Sequence, residues 1–394
     1  MWAVFRAATV ICACIIGLLL SISGQKALAE EIPYSAQPVI ISPDDKLPEL
    51  TARSAILMDA ATGQIIYARD AKSRRYPAST TKMMTLIVAL EKGNVEDYVT
   101  VSRRAAGLEG STLWLEPGDR MRLGDLLYGI MMMSGNDATV AIAEHIAGSE
   151  KAFVALMNEK AAAIGANNTH FVNPHGLPHE AHYTTAYDLA QIAAYGYQNP
   201  LFAEIVGKRE QYFAWIKDPA HKWRNENQML WLYEGVNGVK TGYTDLAGRC
   251  LVTGAKQKGV QLIAVVLDAT YMWNDSIALL DYGFSKVKLK EFVARGKDMG
   301  KVPVRFGRQI SVPVKAEQGI ALPVIKGEEE KLRQVTELPP SVEAPIQVGD
   351  TLGAIKVFCQ DREVARADLV ATQSVERQSF FWTLWEWIRG LLLH

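Results

Sequence analysis

Short, largely apolar stretches bounded by turn residues occur in two widely separated parts of the chain, and these stretches predict β-strands. Near the start, Ser54–Asp59 and Gln64–Ala68 flank a glycine-containing turn and are predicted to form a hairpin. Much later, three more strands are predicted, the last two joined as an antiparallel hairpin. These three are Val236–Lys240, Gly248–Ala255 and Gln261–Ala269.

Between these regions the apolar residues recur with the period of an α-helix. The spacing holds over most of Ser79–His145 and returns in later stretches. Because strands flank this helical middle, we expect one α/β sandwich whose sheet combines strands from both ends of the unit. The predicted helices are Asp125–Met133, Ala138–Ala147, Phe153–Ile164, Ala186–Tyr197 and, closing the unit, Met272–Phe284.

After Lys290 short alternating segments replace the helical pattern. Charged or Pro/Gly-containing turns separate them, as in a small all-β domain. We therefore divide the chain into a lead-in segment (30–50), a main unit (51–288) and a C-terminal β domain (289–372). The segments behind this prediction are Lys301–Phe306, Gln309–Val314, Gly353–Phe358 and Glu363–Leu369.

Residues 1–29 have the pattern of a secretory signal peptide. One basic residue, Arg6, precedes a nearly continuous apolar run, Ala7–Leu20, and Ala27 and Ala29 are the small residues that a signal peptidase reads. We expect cleavage before Glu30, with an uncleaved N-terminal anchor as the alternative. In either case the rest of the chain is predicted to work outside the cytoplasm.

Residues 376–394 are predicted to form an amphipathic helix that anchors the chain to a membrane. The segment is shorter than the roughly 20 residues that a bilayer span needs, so we expect it to lie in the interface, at the outer face of the cytoplasmic membrane. Tryptophan favours that location, and a helix docked on its own domain or on a partner is the alternative. At 100° per residue, one contiguous face contains Trp387, Phe380, Leu391, Leu384, Ile388, Phe381, Leu392 and Trp385.

Composition narrows the function classes. The net charge of −1 lacks the basic footprint of a nucleic-acid-binding protein. Beyond the signal peptide only Cys250 and Cys359 remain, in different predicted domains, so we expect neither a disulfide nor a metal site. The neighbouring histidines His175, His179 and His182 do not change this, because the last two are three residues apart, whereas HExxH zinc motifs need four. No cofactor is expected.

Three short polar motifs suggest chemistry. Ser79-x-x-Lys82 precedes an apolar run, Ser134-Gly135-Asn136 follows one, and Lys240-Thr241-Gly242 ends a predicted strand. Each motif alone is weak: SxxK recurs from Ser23 and from Ser285, and Ser79 is also a suitable helix cap. All three in this order form a specific pattern for a serine acyl transferase.

Physical chemistry explains these residue types. Side chains three apart on a helix share a face, so the amine of Lys82 can reach the hydroxyl of Ser79. A lysine accepts a proton only when its pKa falls far below the usual value, which burial and a second cation, such as Lys240, can achieve. A helix start also offers free backbone N–H groups to a reacting carbonyl oxygen.

With their neighbours, these motifs resemble the D-alanyl-D-alanine carboxypeptidases, which are low-molecular-mass penicillin-binding proteins of serine peptidase type. The resemblance covers nearly all of the chain after the signal peptide. It implies an α/β sandwich of the penicillin-recognising serine transferase type, an antiparallel sheet with a helical subdomain, plus a small all-β C-terminal domain. The matching stretches are YPASTTK (76–82), MSGNDA (133–138), FVNPHGL (171–177), GVKTGYT (238–244) and AGRC (247–250).

The resemblance also implies catalytic roles. Ser79 is the expected acylated nucleophile and Lys82 its general base. Ser134 is expected to relay a proton to the departing D-alanine, while Asn136 holds the substrate amide.

Substrate-binding roles follow in the same way. Lys240 and Thr241 are expected to bind the terminal carboxylate, and the strand through Gly242 and Tyr243 is expected to supply an oxyanion-hole N–H beside that of Ser79. The implied substrate is the peptidoglycan stem pentapeptide, cut between its two D-alanines. β-Lactam antibiotics are the implied covalent inhibitors.

Other functions remain as alternatives. A β-lactamase is disfavoured because no Glu-x-x-Leu-Asn motif, which would supply a deacylating glutamate, lies between Asn136 and Lys240. A non-catalytic wall-binding protein is disfavoured because the expected catalytic side chains are present. Endopeptidase or transpeptidase action on crosslinked stems stays open, since water or an amine can cut the same acyl-enzyme.

Overall fold

The computed structural model describes residues 47–212 and 222–379. The predicted signal peptide, nearly all of the lead-in segment and the tail from residue 380 lie outside the described residues, so the predictions about them stay predictions. Residues 376–379 are described and are not helical, because Arg377 forms a β-bridge with Gly307. The predicted start of the tail helix at residue 376 is therefore wrong. Within the described ranges, no helix is both long and apolar enough to cross a bilayer.

The described residues alternate between strands and helices in the first two thirds and are almost entirely strands thereafter. The strands are β1 (Ser54–Asp59), β2 (Ile65–Arg69), β3 (Tyr98–Thr100), β4 (Arg120–Arg122), β5 (Glu210–Tyr212), β6 (Lys222–Arg224), β7 (Val236–Thr244), β8 (Gly248–Gln257), β9 (Val260–Ala269), β10 (Val287–Val293), β11 (Asp298–Arg305), β12 (Ser311–Ala316), β13 (Ile320–Ile325), β14 (Leu332–Glu337), β15 (Val342–Glu343), β16 (Thr351–Cys359) and β17 (Arg362–Ala371). The helices are α1 (Lys82–Lys92), α2 (Arg103–Ala106), α3 (Leu123–Met132), α4 (Asn136–Ala147), α5 (Glu150–Ala163), α6 (Ala186–Gly196), α7 (Pro200–Gly207), α8 (Met229–Leu232) and α9 (Met272–Lys286).

The main sheet has five antiparallel strands in the order β2-β1-β9-β8-β7. Its centre joins distant parts of the chain, because Ser54 of β1 lies opposite Leu267 of β9. The prediction of one sheet built from both ends of the unit is therefore confirmed.

Alternate residues of β1 contribute to two apolar cores, one on each face of the sheet. Ile56 and Met58 belong to the core that contains α1, whereas Ala55 and Leu57 pack in the core that contains α9. α1 is buried at every position from Lys82 to Ala89, as expected for a helix that is apolar on nearly all sides. A lysine at its start is therefore buried inside the domain.

Three details differ from the predicted elements. The stretch before α3 contains the small hairpin β3–β4, whose strands are too short to show a period. α7 was not predicted, although Asn199 caps it and Pro200 takes its first position, both recognisable start signals. β7 continues to Thr244, so Lys240-Thr241-Gly242 lies within the strand and is paired with β8.

The C-terminal part is an all-β unit with its own apolar core, as predicted. Six strands pair in the order β14-β16-β17-β12-β11-β15, and β10 pairs separately with β13. All pairs are antiparallel except β11 with β15.

The hairpin β16–β17 contacts the turn between β1 and β2, where the Arg362 guanidinium donates to the carbonyl of Thr62. Asp59, the last residue of β1 before this turn, is 1% exposed. Its Oδ1 accepts from both the N–H and the hydroxyl of Thr62 at 2.7 Å, while Oδ2 has no hydrogen-bond partner among the described residues. Burial raises the pKa of the Asp59 carboxyl to about 6.

Replacing Asp59 with asparagine is expected to stabilise the protein at neutral pH. The folded carboxyl binds its proton more tightly than the unfolded one, so ionisation costs stability as the pH rises from about 4 to about 6. Asp59→Asn keeps the Oδ1 acceptor and should add up to about 3 kcal/mol to the free energy of unfolding at pH 7, but little at pH 4. Urea unfolding at both values checks this, and an equal effect at both would contradict it.

Candidate active site

Ser79 lies in a short 3-10 helix, Ala78–Thr81, that leads directly into α1. No side chain caps either helix, so the interpretation of Ser79 as a capping residue is wrong. Its Oγ instead lies 3.1 Å from Nζ of Lys82. The preceding Ala78 has a φ of 48°, a left-handed conformation that costs energy for any residue with a Cβ and is frequent at functional sites.

The amine of Lys82 is completely buried and contacts three oxygens. Besides Ser79 Oγ, it lies 2.8 Å from Oδ1 of Asn136 and 2.7 Å from the carbonyl of His175. The last two oxygens only accept hydrogen bonds. In a neutral amine, the two N–H groups point to these acceptors, so the lone pair faces the hydroxyl of Ser79.

Burial and charge favour that neutral amine. The pKa of Lys82 falls well below its usual value, first because the side chain is buried and then because Lys240 is close. Burial also lowers the pKa of Lys240, to about 8. Glu226 opposes both shifts. No motif pointed to Glu226, an exposed residue of the loop before α8 that acts on both lysines through its charge.

The second motif lies between α3 and α4. Ser134 is buried with a φ of 61°, and Asn136 begins α4. Asn136 Nδ2 donates to the carbonyl of Glu109 at 2.7 Å, while its Oδ1 contacts Lys82. Gly135 leaves no room for a side chain, because a Cβ would lie 2.5 Å from Cγ of Leu113.

Asp137 organises the loop beside this motif, a role that the sequence analysis did not predict. It is 1% exposed and accepts from the backbone N–H of Leu113 and Leu115 at 2.9 to 3.0 Å. This loop also supplies the carbonyl oxygen that orients Asn136. The buried carboxylate therefore holds in place the wall around the second motif.

β7 brings the third motif to the nucleophile. A Cβ on Gly242 would lie 2.9 Å from the backbone nitrogen of Ser79, so the strand passes directly over the 3-10 turn. Nζ of Lys240 lies 3.4 Å from Oγ1 of Thr241. Tyr243 follows with its side chain 61% exposed, at the open edge of the site.

The loop 173–177 packs against the other side of the nucleophile turn. Gly176 has a φ of 95°, and a Cβ there would overlap the carbonyl of Ala78. The side chain of Asn173 accepts from Gly176 N–H at 2.7 Å and donates to the carbonyl of Leu177 at 2.9 Å. This loop supplies the His175 carbonyl, so its fixed shape helps to position Lys82.

The imidazole of His175 braces the same loop. Its Nδ1 accepts from Leu177 N–H at 3.2 Å, so Nε2 carries the proton and faces Glu150 Oε1 at 3.5 Å. Arg104 holds Glu150 at 2.9 Å. The buried His182 bonds to Thr81 at 2.9 Å. Among the described residues, no cluster of His, Cys, Asp or Glu has the arrangement of a metal site.

The three predicted motifs are thus brought together around one buried lysine. What the sequence did not reveal are Glu226, Asp137 and the carbonyl oxygens of Glu109 and His175. Every residue has a backbone carbonyl, so these acceptors leave no pattern in the sequence. Only the matching stretch FVNPHGL (171–177) indicated this part of the site.

Known protein families match both parts of the chain. A family model described as D-alanyl-D-alanine carboxypeptidase matches residues 41–271, and one described as the C-terminal domain of penicillin-binding protein 5 matches residues 288–377. The chain is 36% identical over 339 residues to the D-alanyl-D-alanine carboxypeptidase DacF of Bacillus subtilis, covering 84% of this chain and 87% of that protein. It is 32% identical to DacA of Haemophilus influenzae, covering 94% of each.

Solved structures give the same result. Penicillin-binding protein 5 of Haemophilus influenzae has a TM-score of 0.65 at 31% identity, covering 84% of this chain and all of that one. A peptidoglycan synthesis regulatory factor (PBP3) of Streptococcus pneumoniae has a TM-score of 0.72 at 29% identity, covering 83% and 100%. This chain belongs to the D-alanyl-D-alanine carboxypeptidase family of penicillin-binding serine peptidases.

Proposed function

We propose that this D-Ala-D-Ala carboxypeptidase removes the terminal D-alanine of peptidoglycan pentapeptide stems through an acyl-enzyme on Ser79. The observation that carries this assignment is the buried amine of Lys82, 3.1 Å from Ser79 Oγ and fixed by two pure acceptors. An amine held in this way can take the hydroxyl proton as Ser79 attacks the carbonyl of the scissile bond.

The remaining groups complete the acylation. Backbone N–H groups of Ser79 and Tyr243 would bind the oxyanion, and the expelled amine of D-alanine would receive its proton through Ser134. Water then attacks the acyl-enzyme ester while Lys82 accepts its proton, and Ser79 regains its hydroxyl hydrogen. The products are D-alanine and the shortened stem, so every proton is returned.

Asn136 retains the capacity to hold the substrate. Its Oδ1 already accepts from Lys82 and its Nδ2 donates to Glu109, which leaves one lone pair and one N–H for the substrate amide. Lys240 and Thr241 would bind the terminal carboxylate.

Comparison of the wild type with Ser79→Ala tests the nucleophile. Fluorescent penicillin labelling and D-alanine release from diacetyl-Lys-D-Ala-D-Ala should both be lost, because the variant has no oxygen to acylate. Ser285→Ala, at the other SxxK site of the described chain, is the matched control and should behave as wild type. Persistent labelling of the Ser79 variant would refute the assignment.

The pH profile should be limited at high pH by Lys240. Its pKa is lowered to about 8, and its ammonium form is the one that attracts a carboxylate. We therefore expect kcat/KM for diacetyl-Lys-D-Ala-D-Ala to fall above about pH 8, mainly through KM. The pKa of Lys82 is lowered well below its usual value by burial and by Lys240, and a rising pH favours its neutral form further, so Lys82 does not cause this fall. A KM that stays constant up to pH 10 would contradict this role.

β-Lactams should acylate Ser79 by the same attack and leave slowly, since the deacylating Glu-x-x-Leu-Asn motif is missing between Asn136 and Lys240. Rapid turnover of nitrocefin would instead favour the β-lactamase alternative. Endopeptidase or transpeptidase action on crosslinked stems would use the same acyl-enzyme.

We further propose that the enzyme works outside the cytoplasm, on the outer face of the cytoplasmic membrane. The pattern of residues 1–29 supports export, and the apolar face predicted for the tail from Phe380 onward supports anchoring in the membrane interface. We also propose that the catalytic domain comprises residues 51–288 and the β domain residues 289–372.

A further inference from the structure

We propose that the β domain has a membrane-contact surface of its own, formed by Phe306, Ile310 and Val348, which enters the lipid interface beside the tail. We call these three residues the exit-end surface, because their loops flank the exit segment, residues 374–379, by which the chain leaves the domain. The proposal rests on the proposed anchoring of the tail.

The exit-end surface gathers most of the exposed large apolar side chains of its domain. Ile310 is 87% exposed, Val348 64% and Phe306 54%, and in the described β domain only Leu289 is a further member of this class. Single exposed apolar residues are common on soluble proteins. Three around one segment indicate an interaction surface.

Backbone hydrogen bonds hold the loop 306–310 against the exit segment. Gln378 N–H donates to the Phe306 carbonyl at 2.8 Å, and Arg308 N–H donates to the Glu376 carbonyl at 2.9 Å. The carbonyl of Ile310 closes the loop by accepting from Val304 N–H at 2.8 Å. The loop is thus fixed relative to residues 376–378.

A second loop flanks the exit segment. Ile346 and Val375 form a β-bridge with both hydrogen bonds at 2.9 Å, and Val348 N–H donates to Oγ of Ser374 at 3.3 Å. Val348 is therefore held near the same stretch of chain.

The residues that follow the exit segment indicate that membrane lipid contacts the exit-end surface. Ser379 is followed at once by Phe380, the first residue of the predicted apolar face, with no polar spacer. One residue spans at most about 3.6 Å. When the tail lies in the membrane interface, Ser379 must lie next to it, and the loops bonded to residues 374–378 approach the lipid with it.

Nearby charges are largely paired within the protein. Arg308 contacts Glu376 at 2.7 Å, and Arg305 contacts Glu343 at 2.7 Å. The Arg377 guanidinium lies 5.7 Å from the centre of the Phe306 ring. The contact should therefore depend mainly on apolar burial and change little with salt.

Vesicle binding of the full chain tests the surface. We expect Ile310→Ser combined with Val348→Ser to weaken partitioning into phosphatidylcholine vesicles containing one quarter phosphatidylglycerol by roughly tenfold. Leu289→Ser, on strand β10, is the matched control and should bind as wild type. Unchanged D-alanine release by all variants would show that they fold.

A probe on the surface separates the possible occupants. An NBD fluorophore is attached to Ile310→Cys in a chain in which Cys12, Cys14 and Cys359 are replaced by serine. Cys250 can remain because it is buried. We expect a blue shift on vesicle addition and quenching by lipids with brominated acyl chains.

Three results would overturn the proposal. Blue-shifted emission before vesicles are added would mean that the tail or another protein segment covers the surface. Vesicle binding with no probe response and no loss in the double variant would leave the anchoring intact and remove only the exit-end surface. If the wild type does not bind vesicles, the proposed anchoring fails as well.

Discussion

Replacing Lys82 with arginine is expected to reduce acylation of Ser79 by penicillin on the order of 1,000-fold or more. Arginine stays protonated at every accessible pH and has no lone pair to offer the hydroxyl. General-base catalysis typically contributes 100- to 10,000-fold, and the bulkier head also disturbs the contacts of Lys82 with Asn136 and His175. Rates of fluorescent penicillin labelling and of D-alanine release measure the loss.

Two further variants show whether this loss concerns the base. Lys92→Arg lies at the exposed end of the same helix and should label as wild type. Lys82→Met keeps the length and apolar volume of the side chain but removes the amine, so it should fold and still fail to label. Labelling by a folded Lys82→Met variant at more than a tenth of the wild-type rate would refute the role of Lys82.

The substitution Gly176→Ala is expected to abolish most activity and to destabilise the protein by more than about 3 kcal/mol. Two effects combine at this position. A φ of 95° is strained for alanine, and the new Cβ overlaps the Ala78 carbonyl, one residue before the nucleophile. Relief of the overlap must displace either the turn of Ser79 or the loop that holds Lys82.

Gly118→Ala separates the two effects. Gly118 has a φ of 93°, almost the same, but a Cβ there meets nothing within 4 Å. It should therefore report the backbone strain alone, about 1 kcal/mol, with activity retained. Urea unfolding and penicillin labelling compare the pair, and equal effects would show that the contact with Ala78 is unimportant.

The sequence patterns predicted those strands whose burial alone determines which residues are apolar. β1, β8 and β9 were recognised because their short apolar runs reflect burial in a sheet with helices on both faces. β3 and β4 were missed because three residues are too few to show a period. The extension of β7 to Thr244 depends on pairing with β8, which local propensity does not encode.

The candidate site shows the same division. Ser79 and Lys82 were recognised from their motifs, because their side chains themselves carry out the expected reaction. The lone-pair direction of Lys82 depends instead on the His175 carbonyl, an acceptor that every residue type carries. The exposed Glu226 acts on both lysines through space, and only the folded arrangement reveals that distance.

The pairing of β1 with β9 also sets the time at which the enzyme can first work. The β1–β2 hairpin gains its second neighbour only after residues 260–269 have been made, and an isolated hairpin is marginally stable in water. β7 is joined to β1 only through β8 and β9, so the turn of Ser79 also lacks β7 until β9 is in place. A partly synthesised chain therefore has no assembled nucleophile, and an antibiotic present during synthesis can react only with molecules that have completed the sheet.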